Sequence, residues 1–119
     1  AEIMSRYDVT MASGVIFGCP GEGPEDIKQT IEYVKEVRDI NPNFRISSTF
    51  FKPLPKTIMS DIAKQYGYHE PQTLEEWAAH GEQGHYVYNQ FESVPWVSEI
   101  DEYRRIYEEF RTGNKDLFV

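Results

Sequence analysis

The sequence predicts an α/β fold with parallel strands, and three observations lead to that prediction. The chain of 119 residues is 39% hydrophobic and 14% aromatic, which suffices for the core of one domain. Residues 9–18 and 45–51 have the composition of strands. A helical pattern between them completes a βαβ unit. Such units build either an open doubly wound sheet or a closed barrel, and the pattern is compatible with both.

The chain opens with a helical pattern over residues 1–7 and without an initiator methionine, so we expect it to be part of a longer polypeptide. Residues 9–18 follow as the first strand. Their small and apolar side chains show no sustained alternation, which is typical of a strand buried on both faces. We therefore expect this strand to lie inside a parallel sheet.

The first long helix has the clearest boundaries in the sequence. Pro24 suits the first helical position, Gly23 the N-cap, and Glu25 and Asp26 complement the helix dipole in the first turn. Residues 41–43 are expected to end the helix. Its buried face is predicted by apolar residues at helical spacing, namely Ile27, Ile31, Val34 and Val37.

The second strand is predicted over residues 45–51, where β-branched and aromatic side chains precede a proline-rich loop. A short helix over 58–66 is expected to stop at Gly67. Another helix starts at Thr73, whose spacing to Glu76 is that of a capping box, and runs to about residue 80.

The carboxyl-terminal third has a weaker pattern until its last helix. Residues 85–88 are the only candidate for a further strand between 81 and 95. Ser98 and Asp101 have the spacing of a second capping box, and an amphipathic helix then ends at Gly113. The last six residues are expected to fray. The buried stripe of this helix is predicted to contain Ile100, Tyr103, Ile106 or Tyr107, and Phe110.

Composition excludes several classes of function. Twenty acidic residues against twelve basic ones give a net charge of −8, which repels nucleic acid. The sequence has neither a membrane-spanning apolar run nor a secretory leader pattern, which predicts a cytoplasmic protein. Cys19 is the only cysteine, so an intrachain disulfide is impossible. His69, His80 and His85 lack the spacing of a helical zinc site, so no metal ligand is predicted.

The loop after the first strand is the most informative candidate site. Gly14, Gly18, Pro20 and Gly21 lie at and beyond the carboxyl end of the strand, where α/β folds bind ligands. Glycine lets a flat ligand approach the backbone, and main-chain groups can pair with a base edge. The acidic residue Glu22 disfavours a phosphate. The alternative is that these residues only satisfy turn geometry.

The loop after the second strand must open at the same end of a parallel sheet. Lys52, Lys56 and Thr57 stand there beside two aromatic residues, a set suited to orienting an anionic or aromatic substrate. The alternative is a loop made rigid by proline with solvated lysines.

Two motifs carry a resemblance to a known family. Gly14-x-Ile16-x-Gly18, followed by residues 19–22 and an acidic helix start, resembles the carboxyl-terminal half of the radical S-adenosylmethionine enzyme core. The Phe-x-Pro-x-Pro-x-Thr pattern of residues 51–57 agrees with it. The resemblance covers residues 1 to 80 continuously and extends more loosely to 111. Within the family, the chain is most similar to the cobalamin-binding subgroup, which includes methyltransferases and the oxidative cyclase of magnesium-protoporphyrin IX monomethyl ester.

The resemblance implies a partial, TIM-like (β/α) barrel segment with a helical carboxyl-terminal extension. Residues 1–66 would form a βαβα core segment and 67–119 a mainly helical extension of the same single domain, 1–119. In the parent enzyme a 4Fe-4S cluster cleaves S-adenosylmethionine to a radical that takes a hydrogen atom from a small-molecule substrate. Cobalamin would be a further cofactor where the subgroup resemblance holds.

The resemblance also implies roles for individual residues. The adenine of the cofactor would lie against Gly14, Ile16 and Gly18. The cofactor-binding residues would also include Pro20, Gly21 and Glu22 of the following loop. The face toward the substrate would contain Lys52, Pro53, Pro55 and Thr57. Lys56 departs from the family, which has glycine before that threonine.

The Cys-x-x-x-Cys-x-x-Cys loop that holds the cluster in the family does not occur in this chain, and Cys19 alone cannot replace it. The chain is therefore expected to have no catalytic residue of its own and to need the amino-terminal half of its own polypeptide as its partner. The alternative is a non-catalytic α/β module that binds a small ligand or a protein. Three cysteines at the family spacing upstream of Ala1 would distinguish the two.

Overall fold

The computed structural model describes residues 1–78 and 97–119, and it is an α/β fold as predicted. Residues 74–78 are also helical, and Lys115–Leu117 form a 3-10 turn. The remaining elements are α1 (Glu2–Ser5), β1 (Met11–Phe17), α2 (Pro24–Ile40), β2 (Phe44–Phe50), α3 (Ile58–Gln65) and α4 (Ile100–Gly113).

The two strands pair in parallel, which confirms the βαβ unit. The register runs from Met11 opposite Phe44 to Phe17 opposite Phe50. Beyond the last pair, the Phe51 N–H donates to the Phe17 carbonyl at 2.8 Å. The loops that follow the two strands therefore start side by side.

Helix α2 begins and ends where the sequence predicts. Gly23 is the N-cap, Pro24 follows it, and the Gly23 N–H donates to the Asp26 carboxylate at 2.8 Å. At the other end Asn41 is buried, and its Oδ1 accepts from the Asn43 N–H at 3.0 Å. The predicted apolar stripe is buried.

The core lies on one side of the sheet, between the strands and the buried faces of α2 and α4. Tyr107 of α4 packs its ring edge against Phe17 and Phe50, with centroid distances of 5.2 and 5.0 Å. Aromatic pairs favour this edge-to-face arrangement. The predicted α4 stripe is buried at Tyr103, Ile106, Tyr107 and Phe110, whereas Ile100, which was predicted to belong to it, is only partly buried.

The prediction that the first strand is buried on both faces is wrong. Phe17 is buried on the core side, but Gly14 and Ile16 on the other side are exposed, Ile16 by 57%. No part of the described chain covers that side at Gly14, where an added Cβ would meet nothing within 4 Å. A run of small and apolar residues looks the same in sequence whether its small members face solvent or a second layer.

The predicted capping box at the start of α4 is also wrong. The helix begins at Ile100 after Glu99, whose φ of 49° is left-handed and whose side chain makes no cap bond. The Ser98 hydroxyl instead donates to the Glu22 carbonyl at 3.3 Å. The Ser98 hydroxyl thus bonds to a loop that is distant in sequence, and not to the helix that the local pattern predicts it to cap. The Thr73–Glu76 capping box, in contrast, is confirmed by bonds of 3.2 and 3.3 Å.

The last six residues do not fray. Leu117 is fully buried, and the Val119 N–H donates to the Ile46 carbonyl of β2 at 2.9 Å. Phe118 forms an isolated parallel bridge with Ile46. Apolar side chains at the terminus therefore tie it to the sheet. The candidate strand over residues 85–88 and the end of the helix that starts at 74 lie outside the described residues.

Candidate functional site

The open face of the sheet brings together residues from both strands. Gly14 is paired with Ser47, and Ile16 with Thr49, and all four are exposed. Since paired residues of a sheet share a face, these four form one continuous surface, here called the sheet patch. The patch is flat and mostly small, with Ile16 as its large apolar member.

The loop after β1 is organised around the Glu22 carboxylate. Gly18 is buried with a φ of 74°, a left-handed conformation that favours glycine. Its N–H donates to Glu22 Oε2 and to Tyr103 Oη, both at 2.8 Å. The Tyr103 hydroxyl in turn donates to Glu22 Oε2 at 2.7 Å. These three groups are bonded to one another and are here called the loop triad.

The backbone of the same loop is held by the segment that precedes α4. The Ser98 N–H donates to the Glu22 carbonyl at 3.0 Å, and the Glu22 N–H donates to the Cys19 carbonyl at 3.0 Å. A Cβ at Gly23 would lie only 2.6 Å from Ser98 Oγ, so the loop needs glycine there. Pro20 is half-buried and Gly21 is exposed, with the Tyr66 hydroxyl beside it.

Burial and Glu22 keep two nearby groups protonated. Burial, reinforced by the Glu22 carboxylate, raises the pKa of the Cys19 thiol from 9.0 to about 11. Burial first, and then its hydrogen bond to Glu22, raises the pKa of Tyr103 well above its usual range. Since the thiolate is the reactive form of cysteine, Cys19 is not an activated nucleophile.

The second loop divides into exposed and structural residues. Lys52 and Pro55 are exposed, whereas Pro53 is buried. Thr57 serves as the N-cap of α3, where its hydroxyl accepts from the Ser60 N–H at 3.2 Å and donates to the Leu54 carbonyl at 2.8 Å. The Thr57 hydroxyl thus acts as both donor and acceptor in the cap of α3.

Lys56 has a backbone conformation that is unusual for a residue other than glycine. Its φ is 63°, which is left-handed and normally favours glycine. The left-handed conformation carries a small conformational cost for a lysine.

The sequence interpretation missed the contribution of α4 to the site. Tyr103 was predicted only as a core residue, because a helical stripe signals burial and not the partner of a hydroxyl group. Its two partners in the loop triad lie 85 and 81 residues away along the chain. Ser98 was missed in the same way.

Comparison with known proteins leaves the site to be interpreted on its own geometry: no family model, no curated protein and no solved structure matches this chain. In residues 1–78 and 97–119, no group of three metal-ligating side chains converges. Across the same residues, no helix has the length and apolar character needed to span a membrane.

Proposed function

We propose that this chain is the carboxyl-terminal part of a radical S-adenosylmethionine enzyme core and forms a segment of its partial β/α barrel. The sheet patch would face the barrel interior and lie against the adenosyl group. The two loops at the carboxyl ends of β1 and β2 would form the rim. The motifs of residues 14–22 and 51–57 support this proposal, since the loops they contain follow parallel strands that end side by side at Phe17 and Phe50.

The observation that carries the proposal is the open space over the sheet patch. A side chain at Gly14 would meet nothing within 4 Å, so a planar base can approach the backbone there. Ile16 offers apolar contact, and the hydroxyl groups of Ser47 and Thr49 lie on the same face. Glu22 would act indirectly, because its carboxylate is turned into the loop.

The open space at Gly14 leaves room for an adenosyl group, whereas the chain lacks the thiolates that an iron-sulfur cluster needs. Cys19 is its only cysteine, and such clusters are held by several thiolates. The cluster would be held by the amino-terminal half of the parent polypeptide and would supply the electron for cleavage of S-adenosylmethionine, which yields the radical that attacks the substrate. Lys52 and Pro55 are the exposed residues through which this chain would meet that substrate. Whether the parent transfers a methyl group or oxidises its substrate, with or without cobalamin, would be decided outside this chain.

A second candidate function is a non-catalytic α/β module that binds a small ligand or a protein. One observation favours it: the loop triad satisfies Gly18, Glu22 and Tyr103 from within the chain. The loop therefore holds its conformation without a cofactor. An upstream sequence without three cysteines at the family spacing would favour this candidate.

The test replaces Gly14 with valine in the full-length polypeptide. Valine suits a strand, so the fold should persist, but its side chain would occupy the space above the sheet patch. S-adenosylmethionine should then bind at least about tenfold more weakly, measured by anaerobic calorimetry. Gly18 is less suitable for this test, since its φ of 74° would strain any β-branched replacement.

The matched control is Ala12→Val, which adds bulk to the same strand face two residues further from the loops. Its dissociation constant should stay close to that of the unaltered protein. Equal dissociation constants for the unaltered protein and both variants would remove the sheet patch from the cofactor site.

A further inference from the structure

We infer that Tyr103 is a positioning residue of the proposed adenosyl site and that its hydroxyl holds the loop after β1 in the conformation that binds the cofactor. This inference rests on the proposed function and extends it to α4. Tyr103 does not reach the sheet patch. It acts through Glu22 and Gly18.

The loop triad connects the end of the glycine motif to the carboxyl-terminal helix. Gly18 is the last residue of the Gly14-x-Ile16-x-Gly18 motif and the point where the chain leaves the strand with a φ of 74°. Its N–H is bonded to Glu22 and to Tyr103 at once. The direction in which the chain leaves β1 is thus set by a side chain of α4.

The hydroxyl of Tyr103 has a further role, because it determines where the Glu22 carboxylate lies. Glu22 Oε2 accepts from both the Gly18 N–H and the Tyr103 hydroxyl. Hydrogen bonds to a charged acceptor are among the stronger ones, and a half-buried carboxylate that loses a donor is better solvated outside. Without the hydroxyl, Glu22 should turn to solvent and release Gly18.

The protein contains a matched comparison on the same helix. Tyr107 lies one turn after Tyr103 and is equally buried, at 1% and 0% exposure. Its hydroxyl lies 3.2 Å from Ser48 Oγ on β2, so it contacts the sheet and not the loop. Tyr103→Phe and Tyr107→Phe therefore remove the same atom from two equally buried side chains, but only the first change reaches the loop triad.

The experiment has two measurements. Amide hydrogen exchange of the 119-residue chain, followed by NMR, reports on the Gly18 N–H, which should exchange at least about tenfold faster in Tyr103→Phe and remain unchanged in Tyr107→Phe. Anaerobic calorimetry on the full-length polypeptide should show about tenfold weaker binding of S-adenosylmethionine for Tyr103→Phe alone.

The outcomes separate this inference from the proposed function. If the unaltered polypeptide binds S-adenosylmethionine and Tyr103→Phe binds it equally well, the positioning role is overturned and the proposed function stands. If the two tyrosine variants weaken binding to the same extent, the effect is one of general packing, and the inference is again overturned. If the unaltered polypeptide binds no S-adenosylmethionine, the inference and the proposed function are both overturned, whatever the exchange rate of the Gly18 N–H.

Discussion

Glu22 stabilises the loop after β1 through both of its polar ends. Its carboxylate accepts from the Gly18 N–H and the Tyr103 hydroxyl, and its carbonyl accepts from the Ser98 N–H. A negative charge at this point favours the protonated forms of neighbouring acids. The loop is therefore chemically unreactive, and its role in the proposed function is to shape the surface that binds the cofactor.

The reactivity of Cys19 tests this electrostatic description. Because its pKa is about 11 in the folded chain and 9.0 in the reference thiol, the thiolate fraction near neutral pH should fall on the order of a hundredfold on folding. Iodoacetamide should modify the native chain more slowly than the urea-unfolded chain by that order. The stability contributed by the neutral thiol should be complete below pH 9 and decline as the pH rises toward 11.

Glu22→Gln provides the comparison for Cys19, since it removes the charge and retains the side-chain shape. We expect it to lower the pKa of Cys19 and to speed alkylation of the folded chain. Native and unfolded chains reacting at equal rates would show that the thiol is not buried beside Glu22.

At the scale of elements, helix α4 and the turn after it connect the two ends of the fold. Tyr103 reaches the loop after β1, Tyr107 packs on both strands, and Leu117 fills the core next to β2. The backbone bond from Val119 to Ile46 then extends the edge of the sheet. Carboxyl-terminal residues that sequence reasoning assigns to a frayed end are thus part of the core.

Leu117→Ala measures how much this terminal turn contributes. Leu117 is fully buried, so its truncation should lower the free energy of unfolding by about 2–4 kcal/mol, as measured by urea denaturation. Val119→Ala is the control, because its side chain is 85% exposed and its bond to Ile46 is made by the backbone. A cost for Leu117→Ala as small as that of the control would mean that the terminus is detached from the core.

For the molecule as a whole, the main feature is a parallel sheet that residues 1–78 and 97–119 leave open on one face. Parallel sheets are almost always covered on both faces, and two strands alone make a marginal sheet. The described part of the chain covers the core face and leaves the sheet patch exposed at Gly14 and Ile16. The open face agrees with the proposal that this chain is a segment of a larger barrel.

The exposed patch should also let isolated chains associate with one another. Ile16→Lys places a charge on the patch and should weaken self-association about tenfold or more, measured by sedimentation velocity. Because Ile16 is 57% exposed, the free energy of unfolding should change by less than about 0.5 kcal/mol. Ile58→Lys changes an isoleucine that is 80% exposed at the start of α3 and should have no such effect. Equal association of the two variants would place the contact elsewhere.

The elements that could be predicted from the amino-acid sequence are those whose signals are local. Pro24 after Gly23 and the apolar stripe of α2 specify a helix through neighbours three and four residues apart, and the Thr73–Glu76 pair caps its helix within one turn. The parallel order followed from the βαβ spacing, and it brought both candidate loops to one edge of the sheet.

The open face of β1, the acceptor of the Ser98 hydroxyl and the partners of Glu22 depend instead on how the whole chain packs. Each of these depends on residues from opposite ends of the chain, such as Glu22 and Tyr103, 81 positions apart. A buried stripe in a sequence predicts that Tyr103 packs in the core, but the apolar pattern carries no information about the acceptor of its hydroxyl. That acceptor is selected by long-range packing, because a buried polar group must find its partner wherever the folded chain places one.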